Sequence, residues 1–197
     1  MTQTTTFPEL ALLTLRDPRA AAEIILGWNI SREALWTAIA LVSVIVTILS
    51  TLSNLAFPVP APLNAVVGNP LMYFIVAAGG FVATVYAVYW TGMMLGGRGT
   101  VEDLMLLILW LQALRAAAQV AVLLTLLVAP VLASFLVLFV AVATLWIFVQ
   151  FISIGLHLES ILRALVVLVI SAVALVAGLS FLLSLIGFTP VGGPPNV

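Results

Sequence analysis

Long apolar stretches dominate the chain, and short polar segments separate them. Each apolar stretch has about 20 residues or more, which is the length that an α-helix needs to cross the hydrocarbon core of a bilayer. Only one of these stretches contains a charged residue in its interior. The pattern predicts five membrane-spanning helices, at about residues 34–56, 71–95, 104–128, 131–156 and 162–186.

Residues that start or stop helices bound these spans. Ser31 is a suitable N-cap for the first span, and Thr100 and Asp103 have the spacing of a capping box before the third. Four prolines between residues 57 and 70 prevent the first helix from continuing. The glycine-rich residues 96–99 form a turn after the second span.

A short amphipathic helix precedes the first span. Asp17 can cap its free N–H groups and Pro18 suits its first position, so we expect a helix from Pro18 to about Gly27. Its apolar side carries Ala21, Ile24, Ile25 and Trp28. Such a helix lies in the headgroup region with this side towards lipid, or packs on the ends of the spans, and both arrangements can hold at once.

Arginines near the span ends indicate the orientation. Arg16, Arg19 and Arg32 precede the first span, and Arg98 and Arg163 lie in the second and fourth connections. Because arginine-rich connections stay in the cytoplasm, we expect a cytoplasmic N-terminus and a C-terminus on the opposite side. The expected fold is an all-α integral membrane protein, a five-helix transmembrane bundle with an interfacial N-terminal helix on the cytoplasmic side.

The predicted spans divide the chain into three segments. Residues 1–32 form the cytoplasmic N-terminal segment, and residues 33–187 form the five-span domain. Residues 188–197 are rich in glycine and proline, and we expect them to be a disordered tail.

Composition excludes several classes of function. Of the 197 residues 64% are hydrophobic and 7% are charged, against about 25% charged residues in a soluble domain. The net charge of −1 offers no basic patch for nucleic acid. Without cysteine and with a single histidine, we expect no metal site and no cofactor. No catalytic arrangement is visible, so we expect no enzyme activity. All six basic residues are arginine, which favours a high-GC bacterial source and the cytoplasmic (inner) membrane.

One arginine, Arg115, falls in the middle of the third span. It lies about 11 residues, or about 16 Å, beyond the predicted start of that helix. This depth is near the centre of a hydrocarbon core about 30 Å thick, where an unpaired charge is costly. Gln112 and Gln119 share its helix face, and Gln150 of the fourth span is a further neutral candidate neighbour. No span offers an acid at this depth.

Three interpretations of Arg115 remain open. In the first, Arg115 has a structural role, and Gln150, hydroxyl groups and backbone carbonyls hold it by hydrogen bonds. In the second, an acid or a lipid phosphate from outside the chain pairs with it, and in the third it lines a polar path for a small anion. The candidate intramembrane polar site comprises Arg115, Gln112, Gln119 and Gln150.

Small and hydroxyl-bearing residues form stripes on several spans. Helices in lipid associate through such faces, because apolar burial does not distinguish lipid from protein. Packing within the chain accounts for most of them, but they exceed what a five-helix bundle needs and leave room for a helix from another chain. The candidate association faces comprise Ser43, Thr47, Gly79, Ala83, Ala87, Ala113, Ala117, Ala174 and Gly178.

Two short segments carry a recognisable pattern, Leu-Thr-Leu-Arg-Asp-Pro-Arg-Ala at residues 13–20 and Gly-Gly-Arg-Gly-Thr at residues 96–100. They resemble the Yip domain (Ypt/Rab-interacting protein) family, in its bacterial branch. The five-span layout is similar too. The resemblance implies an all-helical membrane protein that associates with partners. Eukaryotic relatives bind prenylated Rab-type GTPases, but the Asp-Leu-Tyr-Gly-Pro type motif is missing here, so GTPase recruitment is not implied.

Two functional hypotheses follow. The leading one is a non-enzymatic bacterial inner-membrane protein that acts by association, as an accessory or scaffolding subunit or as a membrane-organising factor. Its partners would be membrane lipids and other membrane-protein subunits or a second copy of the chain. The alternative is a small transporter or channel with a polar path around Arg115.

Overall fold

The computed structural model describes residues 6–60 and 64–185. All regular secondary structure in this part of the chain is α-helical. The helices, in chain order, are α1 Phe7–Arg16, α2 Pro18–Leu26, α3 Arg32–Ala56, α4 Asn64–Val67, α5 Pro70–Met94, α6 Val101–Val128, α7 Pro130–Gly155 and α8 Ile161–Leu185.

Five of these helices are long and apolar enough to cross a membrane, namely α3, α5, α6, α7 and α8. Their ends differ from the predicted ends by at most three residues. The prediction of an all-α bundle with five spans is therefore confirmed. The tail predicted at residues 188–197 lies outside the described residues.

Side-chain caps start three of the helices where the sequence predicts them. The N–H of Ala34 donates to Ser31 Oγ at 3.3 Å, at the start of α3. Thr100 and Asp103 form the predicted capping box of α6, with hydrogen bonds of 3.1 and 3.2 Å. Asp17 Oδ1 accepts two N–H groups at the start of α2, each at 3.1 Å. These acceptors satisfy N–H groups that have no partner within the helix.

Two short helices, α1 and α4, were not predicted. Helix α1 begins with a capping pattern in which the N–H of Thr6 donates to Glu9 Oε2 at 2.9 Å. Hydrogen bonds from this N–H and, to a smaller extent, from the Thr6 side chain lower the pKa of the Glu9 carboxyl below its usual value. In the sequence, the Thr-x-x-Glu spacing of a capping box is the feature that could have predicted the start of α1. Helix α4 is a single turn in the connection that the prolines predicted to be a loop.

Helix α6 is the centre of the bundle. It packs against α3, α5 and α7, while α8 packs against α5 and α7. The charged residues of the connections lie where α3, α6 and α8 begin and where α5 and α7 end, and we call this the charged end of the bundle. The opposite end, which carries no charge in the described residues, is the uncharged end.

Packing is densest towards the charged end. All eight residues of α6 from Leu104 to Leu111 are buried, because helices cover this half of α6 on every side. In the other half of the bundle, large apolar residues such as Leu124, Val128 and Val131 are exposed. The helices therefore form a tight core at the charged end and a looser arrangement beyond it.

The N-terminal helices complete this tight core. Ala21 and Ile25 of α2 are fully buried, with α7 and α6 as the neighbouring spans. Ile24 and Trp28, predicted on the same side, are 39% and 44% exposed. Helix α2 therefore packs on the bundle and keeps part of its apolar side open.

Trp110 of α6 anchors α1 to the spans. Its indole N–H donates to Thr14 Oγ1 at 3.0 Å, and the Thr14 hydroxyl donates to the carbonyl of Leu10 at 2.7 Å. The rings of Phe7 and Trp28 lie 5.1 and 5.7 Å from the Trp110 ring. This contact satisfies the polar end of a buried tryptophan.

The glycine-rich turn after α5 makes backbone contact with the end of α7. The N–H of Arg98 donates to the carbonyl of Leu156 at 2.9 Å. A Cβ atom at Gly99 would overlap the carbonyl oxygen of Gly155 and would lie 2.9 Å from Leu156 Cα. Only glycine at position 99 therefore allows the second connection to lie flat against α7.

We predict that Gly99→Ala lowers the free energy of unfolding by about 1–3 kcal/mol, because its methyl group forces the turn away from backbone atoms that cannot yield. Thermal unfolding in detergent, followed by circular dichroism, measures the effect. Gly80→Ala is the matched control, since a Cβ there meets no atom within 4 Å, and it should not destabilise the protein. Equal melting temperatures for Gly99→Ala and the unmodified protein would contradict the prediction.

Candidate functional site

A cavity of about 670 Å³ lies between α3, α5, α6 and α7. On α6 its lining extends from Leu109 to Val122, so it begins where the tight core ends and continues towards the uncharged end. Arg115 lies in this lining, 14 residues or about 21 Å from the first residue of α6. The cavity therefore occupies the middle of the bundle, at the depth of the arginine.

Arg115 has a single hydrogen bond among the described residues. Its Nη1 donates to Gln112 Oε1 at a long distance of 3.4 Å. A guanidinium group has five N–H donors, so most of its donors form no hydrogen bond with the described chain. The two ion pairs found in this part of the chain, Arg32–Glu102 at 3.9 Å and Arg163–Glu159 at 3.1 Å, do not include it.

The sequence contains no acid that can reach the arginine from within the spans. All seven acidic residues lie before α3, in the first turns of α3 and α6, or between α7 and α8. These positions belong to the charged end or to the segment before it. A carboxylate or phosphate at the depth of Arg115 has to come from another molecule.

Polar side chains from other helices share the cavity with Arg115. Gln112 and Gln119 line it from α6, Ser43 from α3 and Thr144 from α7. Tyr73 of α5 lines its part nearest the uncharged end. The rest of the lining is apolar. An arginine with amide and hydroxyl neighbours is suited to an oxyanion and not to a metal ion.

Sequence analysis missed Tyr73 and Thr144. Each is an isolated polar residue in an otherwise apolar part of its span, and this isolation was the only signal available. Which helix face is directed at Arg115 depends on how the spans pack, and periodicity alone does not give that.

Gln150, the fourth predicted member of the polar site, does not line the cavity. It is 4% exposed, and its Oε1 has no hydrogen-bond partner among the described residues. The structure therefore brings Arg115, Gln112 and Gln119 together and leaves Gln150 apart, within the tight core near the end of α7.

The predicted association faces separate into buried and exposed groups. Ser43 and Thr47 are buried in the bundle, and the Thr47 hydroxyl donates to the Ser43 carbonyl of its own helix at 2.7 Å. Ala87 and Ala113 are half-buried. The exposed members are Gly79, Ala83, Ala117, Ala174 and Gly178.

Most of the exposed members lie on α5 and α8, beyond the point where a hydrogen bond joins the two helices. The buried Ser171 of α8 donates to the carbonyl of Ala87 at 3.2 Å, which joins the two helices. Ala83 and Ala174 lie about one turn beyond this bond, and Gly178 lies two turns beyond it, on the facing sides of the helices. These residues are nonetheless exposed.

The glycines of these two helices border open space. Gly80 and Gly178 each lie seven residues beyond the bonded pair, at the same level. A Cβ atom at Gly79, Gly80 or Gly178 would meet no atom of the described residues within 4 Å. We call this opening the α5–α8 cleft, formed by Gly79, Gly80, Ala83, Ala174 and Gly178.

Comparison with known families gives a match over most of the chain. A family model described as the Yip1 domain matches residues 12–182. The chain belongs to the Yip1 domain family. The match extends from α1 into α8 and so includes both the cavity and the α5–α8 cleft. No curated protein and no solved structure matches this Yip1 domain protein.

We predict that Gln150→Met raises the free energy of unfolding by about 1 kcal/mol. Methionine has a similar shape and removes an amide oxygen that is buried without a partner. Melting temperatures in detergent measure the change, with Gln119→Met as a control on a residue of the cavity lining. A lower melting temperature for Gln150→Met would show that the oxygen has a partner in the membrane.

Proposed function

We propose that this Yip1 domain protein is a non-enzymatic membrane protein that acts by association, as an accessory or scaffolding subunit or as a membrane-organising factor. The α5–α8 cleft is the observation that supports this proposal. Its residues lie on facing sides of two neighbouring spans, yet no atom of the described chain fills the space between them. A transmembrane helix of a second copy, or of another membrane protein, is the proposed occupant.

Small residues promote the association of helices in lipid. Lipid tails are as apolar as leucine side chains, so burial of large apolar residues gives little drive for association. Small residues allow two backbones to approach closely, and the resulting van der Waals contacts hold the helices together. Three glycines and two alanines in one cleft provide such a surface on α5 and α8 together.

The membrane setting is part of the proposal. We place the protein in the bacterial cytoplasmic membrane, with the charged end and α1 and α2 in the cytoplasm. Arginine placement supports this orientation, since all five arginines other than Arg115 lie at the charged end or before α3. Lipids surround the exposed apolar residues of the uncharged half.

We predict that Gly178→Leu weakens the association at least tenfold, or by about 1.4 kcal/mol, because a large side chain fills the cleft. Cross-linking in native membranes, followed by isolation in mild detergent, measures the yield of the complex. Val176→Leu is the matched control, since Val176 is 66% exposed on the opposite side of α8. Loss of the complex in both variants, or in neither, would count against the cleft as the binding surface.

We also predict that reporters fused to the two termini respond from different compartments. Five crossings are an odd number, so the termini must emerge on opposite sides of the membrane. A cytoplasm-specific reporter should be active at the N-terminus and a periplasm-specific reporter at the C-terminus. Activity of both termini in one compartment would overturn the orientation.

A transport function is the second candidate, because the cavity reaches Arg115. Such a function needs a continuous path, but the buried residues Leu104–Ile108 lie between the cavity and the charged end. Anion flux into liposomes that is lost in Arg115→Ala would favour transport over association. The packed core supports a cavity that is closed on one side.

A further inference from the structure

We propose that the cavity around Arg115 binds an acyl lipid whose head is an oxyanion, a carboxylate or a phosphate. The anionic head pairs with the Arg115 guanidinium, and an acyl chain occupies the apolar part of the cavity. This proposal concerns a different surface from the α5–α8 cleft and does not depend on it.

The charge of Arg115 lacks a charged partner within the described chain. In a medium of low dielectric constant a cation is strongly destabilised unless an anion or several hydrogen-bond acceptors surround it. The described chain supplies one acceptor, Gln112 Oε1, at 3.4 Å. The sequence places no acid beyond the first turn of any span. Because the chain supplies neither an acid nor several acceptors, we assign the partner of Arg115 to an anion from outside the protein.

The donors around the arginine define the anionic head. Arginine binds carboxylates and phosphates with two parallel hydrogen bonds, which suits a planar or tetrahedral oxyanion. Gln112 and Gln119 lie one turn to either side of Arg115 on α6 and line the same cavity. Their amide N–H groups, and the hydroxyls of Ser43 and Thr144, provide further donors for such a head.

The apolar lining defines the rest of the ligand. Valines of α3 and α7, with Ala141 of α7, form part of the wall, and Val46, Val122 and Val137 continue it away from Arg115. The volume of about 670 Å³ is within the range of roughly 300–1,000 Å³ for pockets that hold one small molecule. A free inorganic anion would leave most of this apolar surface without contact. An acyl chain fills it.

The depth and shape of the cavity favour a ligand that arrives through the membrane. The tight core closes the cavity on the charged side. The lining continues to Tyr73, three residues from the start of α5, and so approaches the uncharged end. A lipid enters from the bilayer between the loosely packed halves of the helices, without passing through the core.

Binding of defined lipids to the full-length protein in neutral detergent tests the proposal. Native mass spectrometry measures bound hexadecanoate, its uncharged methyl ester, phosphatidylglycerol and inorganic phosphate. We expect at least one of the two anionic lipids to bind at least tenfold more tightly than the methyl ester, and inorganic phosphate not to compete with it. Preference for hexadecanoate identifies a carboxylate, and preference for phosphatidylglycerol identifies a lipid phosphate. Equal binding of charged and uncharged lipids overturns the proposal.

Two pairs of variants locate the site. Arg115→Gln should weaken binding of the preferred lipid at least tenfold, whereas Arg163→Gln, which changes an exposed arginine at the charged end, should not. Ala141→Phe fills the apolar part of the cavity from α7 without altering Arg115. It should also weaken binding, and Val142→Phe, on a neighbouring residue that does not line the cavity, should leave it unchanged. Unaltered binding in Ala141→Phe, or in a folded Arg115→Gln variant, refutes the site.

Discussion

The close packing of the charged half around α6 is the constraint on which the other features depend. Eight consecutive residues of α6 are buried there, because α1, α2 and three spans surround the helix. Backbone contact between Gly99 and Gly155 fixes the second connection against α7 in the same region. Both the cavity at Arg115 and the α5–α8 cleft extend beyond this core, towards the uncharged end.

The cavity and the α5–α8 cleft differ in chemistry, although both extend beyond the tight core. Small residues alone form the α5–α8 cleft, and small residues are what allow close backbone approach between helices in lipid. The cavity combines apolar walls with a cation in a region of low dielectric constant, where a charge needs a partner. The chain keeps its own acids at the charged end or before the first span, so it cannot provide that partner itself.

Sequence analysis was most successful where the bilayer itself limits the possibilities. Lipid offers no hydrogen bonds to the backbone, so long apolar segments can only be helices, and caps such as Ser31 and Thr100 mark where they begin. It was less successful where neighbours decide the outcome. Gln150 and Arg115 both appeared as polar residues inside spans, but one lies in the tight core and the other lines the cavity. Helix α1 was missed, although Thr6 and Glu9 carried its signal.

The sequence by itself determined the number of spans, their ends, the concentration of charge at one end of the bundle and the isolation of Arg115 from any acid. These properties depend on local composition and on the transfer of side chains between water and lipid, which a single helix already experiences. Only the tertiary structure decided that Tyr73 and Thr144 share a cavity with the arginine, and that Gly178 faces open space. Such contacts depend on how helices distant in sequence rotate and diverge, and in lipid no difference in apolarity marks which face of a helix turns inward.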